Sequence, residues 1–169
     1  MTLPEFMTYV AKPGGALDDA AIAAFESEIG AALPADYRAF LKAVNGGWVG
    51  GALLISGQAA DGESIDADVH HIGGLRAEPH MDLRTARATY QDWIARIPRD
   101  LIWIMDDSCG NAICLGVAGK ARGKVYFWDH EQEPDLDDWD GTLEGAGNIT
   151  LIAHTFDTFF KGLQVATRV

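Results

Sequence analysis

Cationic side chains are scarce in this sequence of 169 residues: 13 lysines and arginines stand against 25 aspartates and glutamates, a formal net charge of −12. Such a field repels phosphate backbones and draws cationic surfaces, so direct nucleic-acid binding is disfavoured. Cysteine is scarcer still. Cys109 and Cys114 are too few for a disulfide framework and wrongly spaced for a zinc knuckle. His70, His71, His80, His130 and His154 include no pair at helical metal-ligand spacing. The glycine-rich stretch from Asn45 to Gly51 lacks the terminal Gly-Lys-Ser/Thr of a phosphate loop. No metal or cofactor is therefore expected. No apolar run approaches the roughly 20 residues of a membrane-spanning helix, so no membrane partner is expected. Met1 to Gly15 has no basic region followed by an apolar stretch, and the expectation is a cytoplasmic protein with reduced thiols.

Apolar residues, by contrast, are plentiful at 48% of the chain, which suits a packed core. At this length roughly 70% of the unfolded surface can be buried, as one domain over 1–169. The patterning predicts an α+β fold with a central mixed, largely antiparallel sheet flanked by helices. Ile22, Phe25 and Ile29 repeat at helical spacing between Asp18 and Gly30, giving a helix near 18–29. Tyr37, Phe40, Leu41 and Val44 form a second stripe after Pro34 and before Asn45-Gly46-Gly47, giving a helix near 34–44. A third helix near 83–97 carries Leu83, Arg87, Tyr90, Trp93, Ile94 and Ile97 in phase before Pro98. Thr155 caps a closing helix near 155–165 striped with Phe156, Phe159, Phe160 and Leu163. Strands are predicted near 48–55, 69–72, 101–105, 112–117, 124–129 and 149–153, with Gly50 and Gly51 marking a bulge in the first and an acidic loop over 56–68 after it. Turn residues between the runs from 101 to 129 favour an antiparallel meander.

One segment breaks the regularity. Residues 130–148 carry no convincing helix or strand, beyond the 12 to 15 or so at which structureless connections become uncommon. Charge concentrates there: Val125 to Phe160 holds nine acidic residues and no lysine or arginine. Glu131, Glu133, Asp135, Asp137, Asp138, Trp139 and Asp140 are the candidate partner-binding residues, with Trp139 read either as an aromatic anchor ringed by charge or as a residue that pins the loop to the body. A calcium-loop register that sets Gly141 at the sixth position places Leu136 and Gly147 where carboxylates are needed, so the segment does not read as an EF-hand. Asp106, Asp107, Cys109, Asn111, Asp129 and His130 could be assembled into a cysteine nucleophile with a histidine base, but carboxylates beside a thiol blunt it, and no enzyme is expected.

Three patches carry a family resemblance: Leu33-Pro34-Ala35-Asp36-Tyr37-Arg38-Ala39-Phe40-Leu41 ending in Asn45-Gly46-Gly47; Asp106 to Leu115 leading to Val125-Tyr126-Phe127-Trp128-Asp129-His130-Glu131; and Ile152 to Phe160. Their order resembles the SUKH superfamily, the Smi/Knr-like or cell-wall-assembly-regulator-like proteins, over roughly 22–163. The sequence departs from the pattern at Ser108-Cys109, where small residues are usual, and in the acidic insertion after Glu131. The resemblance implies an α+β fold, no catalytic residues and no cofactor. For many bacterial members it implies an immunity protein that binds and neutralises a polymorphic toxin, commonly a nuclease or deaminase; fungal relatives are regulatory hubs of cell-wall synthesis. The expected partner is thus a cationic toxin domain, with an intracellular scaffold or regulator as the alternative.

Overall fold

The computed structural model describes residues 1–58, 64–76 and 78–166. Helix α1, Leu3–Met7, was not foreseen: Thr2 and Glu5 close a capping box, and the helix delivers a fully buried Phe6. Helix α2, Asp19–Ile29, starts where Asp18 accepts the Ala21 N–H at 2.7 Å and stops at Gly30, with φ 68°. Helix α3, Ala35–Val44, buries Tyr37, Phe40, Leu41 and Val44, as its stripe predicts. Asn45 ends it in the left-handed conformation, φ 47°, and then becomes a hub. Its side chain accepts the Leu75 N–H at 2.8 Å and donates to Gly14 O at 3.4 Å. Gly74 passes so close that a Cβ there would collide with the Asn45 carbonyl.

Among the described residues, seven strands form one sheet in the order β6-β5-β4-β3-β2-β1-β7. They are β1 Gly47–Gln58, β2 Ser64–Ile72, β3 Leu101–Asp106, β4 Ala112–Gly116, β5 Val125–Trp128, β6 Ile149–Ala153 and β7 Gln164–Val165. Every pairing of these strands is antiparallel, so the sheet is not mixed. The bulge in β1 is present between Trp48 and Leu53, with Gly50 and Gly51 at φ 64° and 78°. The loop expected over 56–68 is largely strand instead. Gln58 pairs with Ser64 and Ser56 with Asp66, while 59–63 lie outside the described residues. Asp66 and Asp68 alternate with the half-buried Ile65 and the buried Ala67 and Val69, the period-2 pattern of a strand with one face on the core.

Two helices end earlier than their stripes suggest. Asp82 caps α4, Leu83–Arg87, by accepting the Arg84 and Thr85 N–H groups. The helix then widens into a π turn, Ala88–Trp93, and Ile94 is already extended at φ −132°. The extra residue in that turn shifts the phase, so Trp93 and Ile94 leave the core and stand 84% and 49% exposed. Gln91 turns inward instead and donates to Pro98 O and Leu101 O at 2.8 and 2.6 Å. Helix α5, Phe156–Gly162, stops at Gly162, and 164–165 leave helical geometry to pair as β7 with Leu53 and Leu54 of β1. The core on this side is aromatic: Phe40 lies 4.9 Å from Phe156, and Phe6 lies 5.1 Å from Phe160, tying α1, α3 and α5 together.

Candidate functional site: an acidic trough and its loop

Antiparallel strands alternate their side chains, so the acidic positions of β2 and the ends of β3 and β5 can converge only if the sheet curls. It does. A cleft of about 300 Å³ has Ser64 and Asp66 of β2 on one side and, on the other, Phe127 of β5, Asp129 just after it and Thr150 of β6. A second hollow of about 400 Å³ shares Asp66 and continues past Asp68 to Asp107, Ser108 and Cys109 of the β3–β4 turn. Among the described residues, Asp66, Asp68, Asp107 and Asp129 make no ion pair.

Hydrogen bonds fix these carboxylates in place. Asp107, 6% exposed, accepts the Cys109 and Asn111 N–H groups and the Asn111 amide at 2.7 to 2.9 Å. Asn111 Oδ1 in turn accepts the His130 N–H at 3.1 Å and sits 2.8 Å from His130 Nδ1. Asp68 accepts the Ser108 N–H and hydroxyl at 2.8 and 2.9 Å. Asp129 accepts from the Glu131 N–H and the Gln132 amide. The β3–β4 turn, the start of the 130–148 loop and β2 are thereby locked to one another.

Asp106 stands beside this trough. Its carboxyl is pushed up to about 6, chiefly by burial and further by Asp107 and Asp68, while the His71 N–H it accepts at 2.9 Å opposes the shift. His71 Nδ1 lies 3.0 Å from the same carboxyl and is held below the usual imidazole range by burial and by His80. Burial thus disfavours the charged form of both partners.

The loop residues divide into two sets. Glu133 is not free: Arg96 grips it with two bonds of 2.7 and 2.8 Å, and the same guanidinium sits 5.0 Å above the Trp128 ring. Asp135 accepts the Asp137 N–H, and Asp140 accepts the Thr142 N–H and hydroxyl, which hold its carboxyl below the usual range. Trp139 is half-buried and donates its indole N–H to Thr142 O at 3.0 Å, within the loop's own turn. Among the described residues, the carboxylates of Glu131, Asp137 and Asp138 accept no hydrogen bond, and they form the exposed acidic set. The trough residues Asp66, Asp68, Asp107 and Asp129 were not assigned to a partner site from sequence. The alternation of Asp66 and Asp68 with apolar neighbours was the available signal.

His130 spends its Nδ1 on Asn111, and no hydrogen bond joins its ring to Cys109. Among the described residues no three His, Cys, Asp or Glu side chains are placed to hold a metal ion, and no helix is long and apolar enough to cross a membrane.

Residues 16–162 match the SMI1 / KNR4 family (SUKH-1). The chain is also 32% identical over 156 residues to the SPbeta prophage-derived uncharacterized protein YokK of Bacillus subtilis (strain 168), an alignment that covers 82% of this chain and 70% of that protein.

Proposed function

This chain belongs to the SMI1 / KNR4 family (SUKH-1), and from that premise we propose that it is a bacterial immunity protein, acting in the cytoplasm by stoichiometric binding and without chemistry, whose partner is a cationic nuclease or deaminase toxin domain. The observation that carries this reading is the acidic trough. Carboxylates from β2, the β3–β4 turn and the end of β5 face a shared concavity, no ion pair neutralises them among the described residues, and the 130–148 loop adds Glu131, Asp137 and Asp138. A toxin that acts on nucleic acid presents a positive cleft, which such a surface attracts and occupies in place of phosphate. The relative's prophage origin is in keeping with a gene kept for conflict.

The test is co-expression with the catalytic domain of a toxin-like reading frame encoded next to this gene. Restored growth and a one-to-one complex by gel filtration are expected, with affinity falling steeply as salt rises. The triple variant Asp66→Asn, Asp68→Asn, Asp129→Asn should keep the fold and weaken binding at least tenfold at low salt. Failure of the wild-type protein both to protect and to bind overturns the proposal. Co-purification with an endogenous cell-wall enzyme instead would favour the regulatory alternative.

A further inference from the structure

The two edges of the sheet are treated differently by the chain. Along β1 the outer edge is covered: Ala11 and Trp48 exchange hydrogen bonds of 2.7 and 2.9 Å, β7 pairs with Leu53 and Leu54, and the Ala166 N–H reaches Ala52 O at 3.0 Å. Among the described residues, strand β6 has no such cover. Its sequence, Ile149-Thr150-Leu151-Ile152-Ala153, contains no lysine, proline or charge of the kind that blunts exposed edges. The Asp129 N–H donates to Asn148 O, and Phe127 lies opposite Thr150, so these are the hydrogen-bonded rungs of the ladder. Ile149 and Leu151 therefore turn their N–H and C=O groups away from β5. A bulge at Ile152, where the register passes from Tyr126 opposite Leu151 to Val125 opposite Ala153, ends the flat stretch.

The surroundings specify what fits this edge. On one face Thr150 shares its cleft with Asp66 and Asp129. On the other, Leu151 lies opposite Tyr126 and is 36% exposed. A second copy of this chain is a poor occupant, because each copy brings nine acidic residues and no lysine or arginine between Val125 and Phe160. We propose that β6 accepts an extended segment of a cationic partner protein as an added strand, with lysine or arginine side chains directed to Asp66 and Asp129 and apolar side chains alternating onto Leu151. The inference rests on the cationic-partner reading above and adds the mode of contact.

The probe is a synthetic peptide that alternates lysine and valine, titrated at low salt into the isotope-labelled chain while amide exchange is followed by NMR. Expected is a slowing of exchange at the Ile149 and Leu151 amides by at least tenfold, with no effect from a peptide carrying glutamate for lysine. Leu151→Pro removes an outward N–H and leaves the β5 ladder intact, so it should abolish that protection while retaining the circular-dichroism spectrum. The wild-type measurement stands alone should that variant not fold. Shifts confined to Asp66 and Asp129, with the β6 amides unprotected, would overturn strand addition while the cationic-partner reading survived. No shift anywhere would sink both, and protection that appears with protein concentration alone would show the edge to be a self-interface and overturn the proposal.

Discussion

Between about pH 4 and pH 6 the Asp106 carboxyl keeps its proton in the folded chain and loses it in the unfolded one, because burial raises it to about 6. The unfolded state binds fewer protons across that window, so this group's contribution to stability is intact below pH 4 and falls as pH rises, the loss being complete above pH 6. Two pH units set an upper bound of roughly 3 kcal/mol. Asp106→Asn keeps an acceptor for the His71 N–H and cannot ionise. Urea denaturation should show it level with the wild type near pH 4 and more stable by up to that amount above pH 6; a difference independent of pH would refute the assignment. Asp107 has a structural part instead, since its carboxylate satisfies three donors in a buried turn. Asp107→Ala should cost about 3 kcal/mol in the same assay. The turn at 106–111 was readable from its residue types. Its bond to His130 was not, because that depends on the β4–β5 register that sets Ala112 opposite Trp128.

At the scale of elements, the loop over 130–148 is tethered at its start by one ion pair. Arg96 and Glu133 are 31% and 20% exposed, and the guanidinium also covers Trp128. A double-mutant cycle on Arg96→Ala and Glu133→Ala should give a coupling of about 1 kcal/mol, with faster amide exchange through 134–145 in either single variant. Helices α2 and α3 were legible because stripe, cap and left-handed stop agree at each. The helix near 83–97 misled for a local reason: its apolar residues fit a 3.6-residue repeat, but the buried Gln91 bonds to Pro98 and Leu101 favour a π turn that the repeat does not encode. Trp93→Ala should therefore change stability by less than about 0.5 kcal/mol, unlike any core aromatic. Strand β2 was half missed because Asp66 and Asp68 read as loop, although Ile65, Ala67 and Val69 between them mark the buried face.

For the whole molecule, α1, α3 and α5 share one aromatic cluster and the sheet runs unbroken from β6 to β7. Thermal unfolding should thus be a single cooperative transition, with coincident far-ultraviolet and tryptophan signals; two separated transitions would show that the chain divides. The fold class was legible from periodicity and punctuation. The trough was not, since it exists only once curling brings β2 across from β5 and β6. Charge alone pointed to the 130–148 loop, where Glu133 is spent on Arg96 of the body, and Asp135 and Asp140 on the loop's own turns.

The stop of α3 also sets how this protein ages. Asn45-Gly46 is the one asparagine–glycine step in the sequence, the pair most prone to spontaneous deamidation through a succinimide ring. Here Asn45 is 4% exposed and its side chain is clamped between Leu75 and Gly14, which holds its carbonyl carbon away from attack by the Gly46 nitrogen. Folding thus protects the one asparagine–glycine step, and the slow appearance of isoaspartate at position 45 would record time spent unfolded.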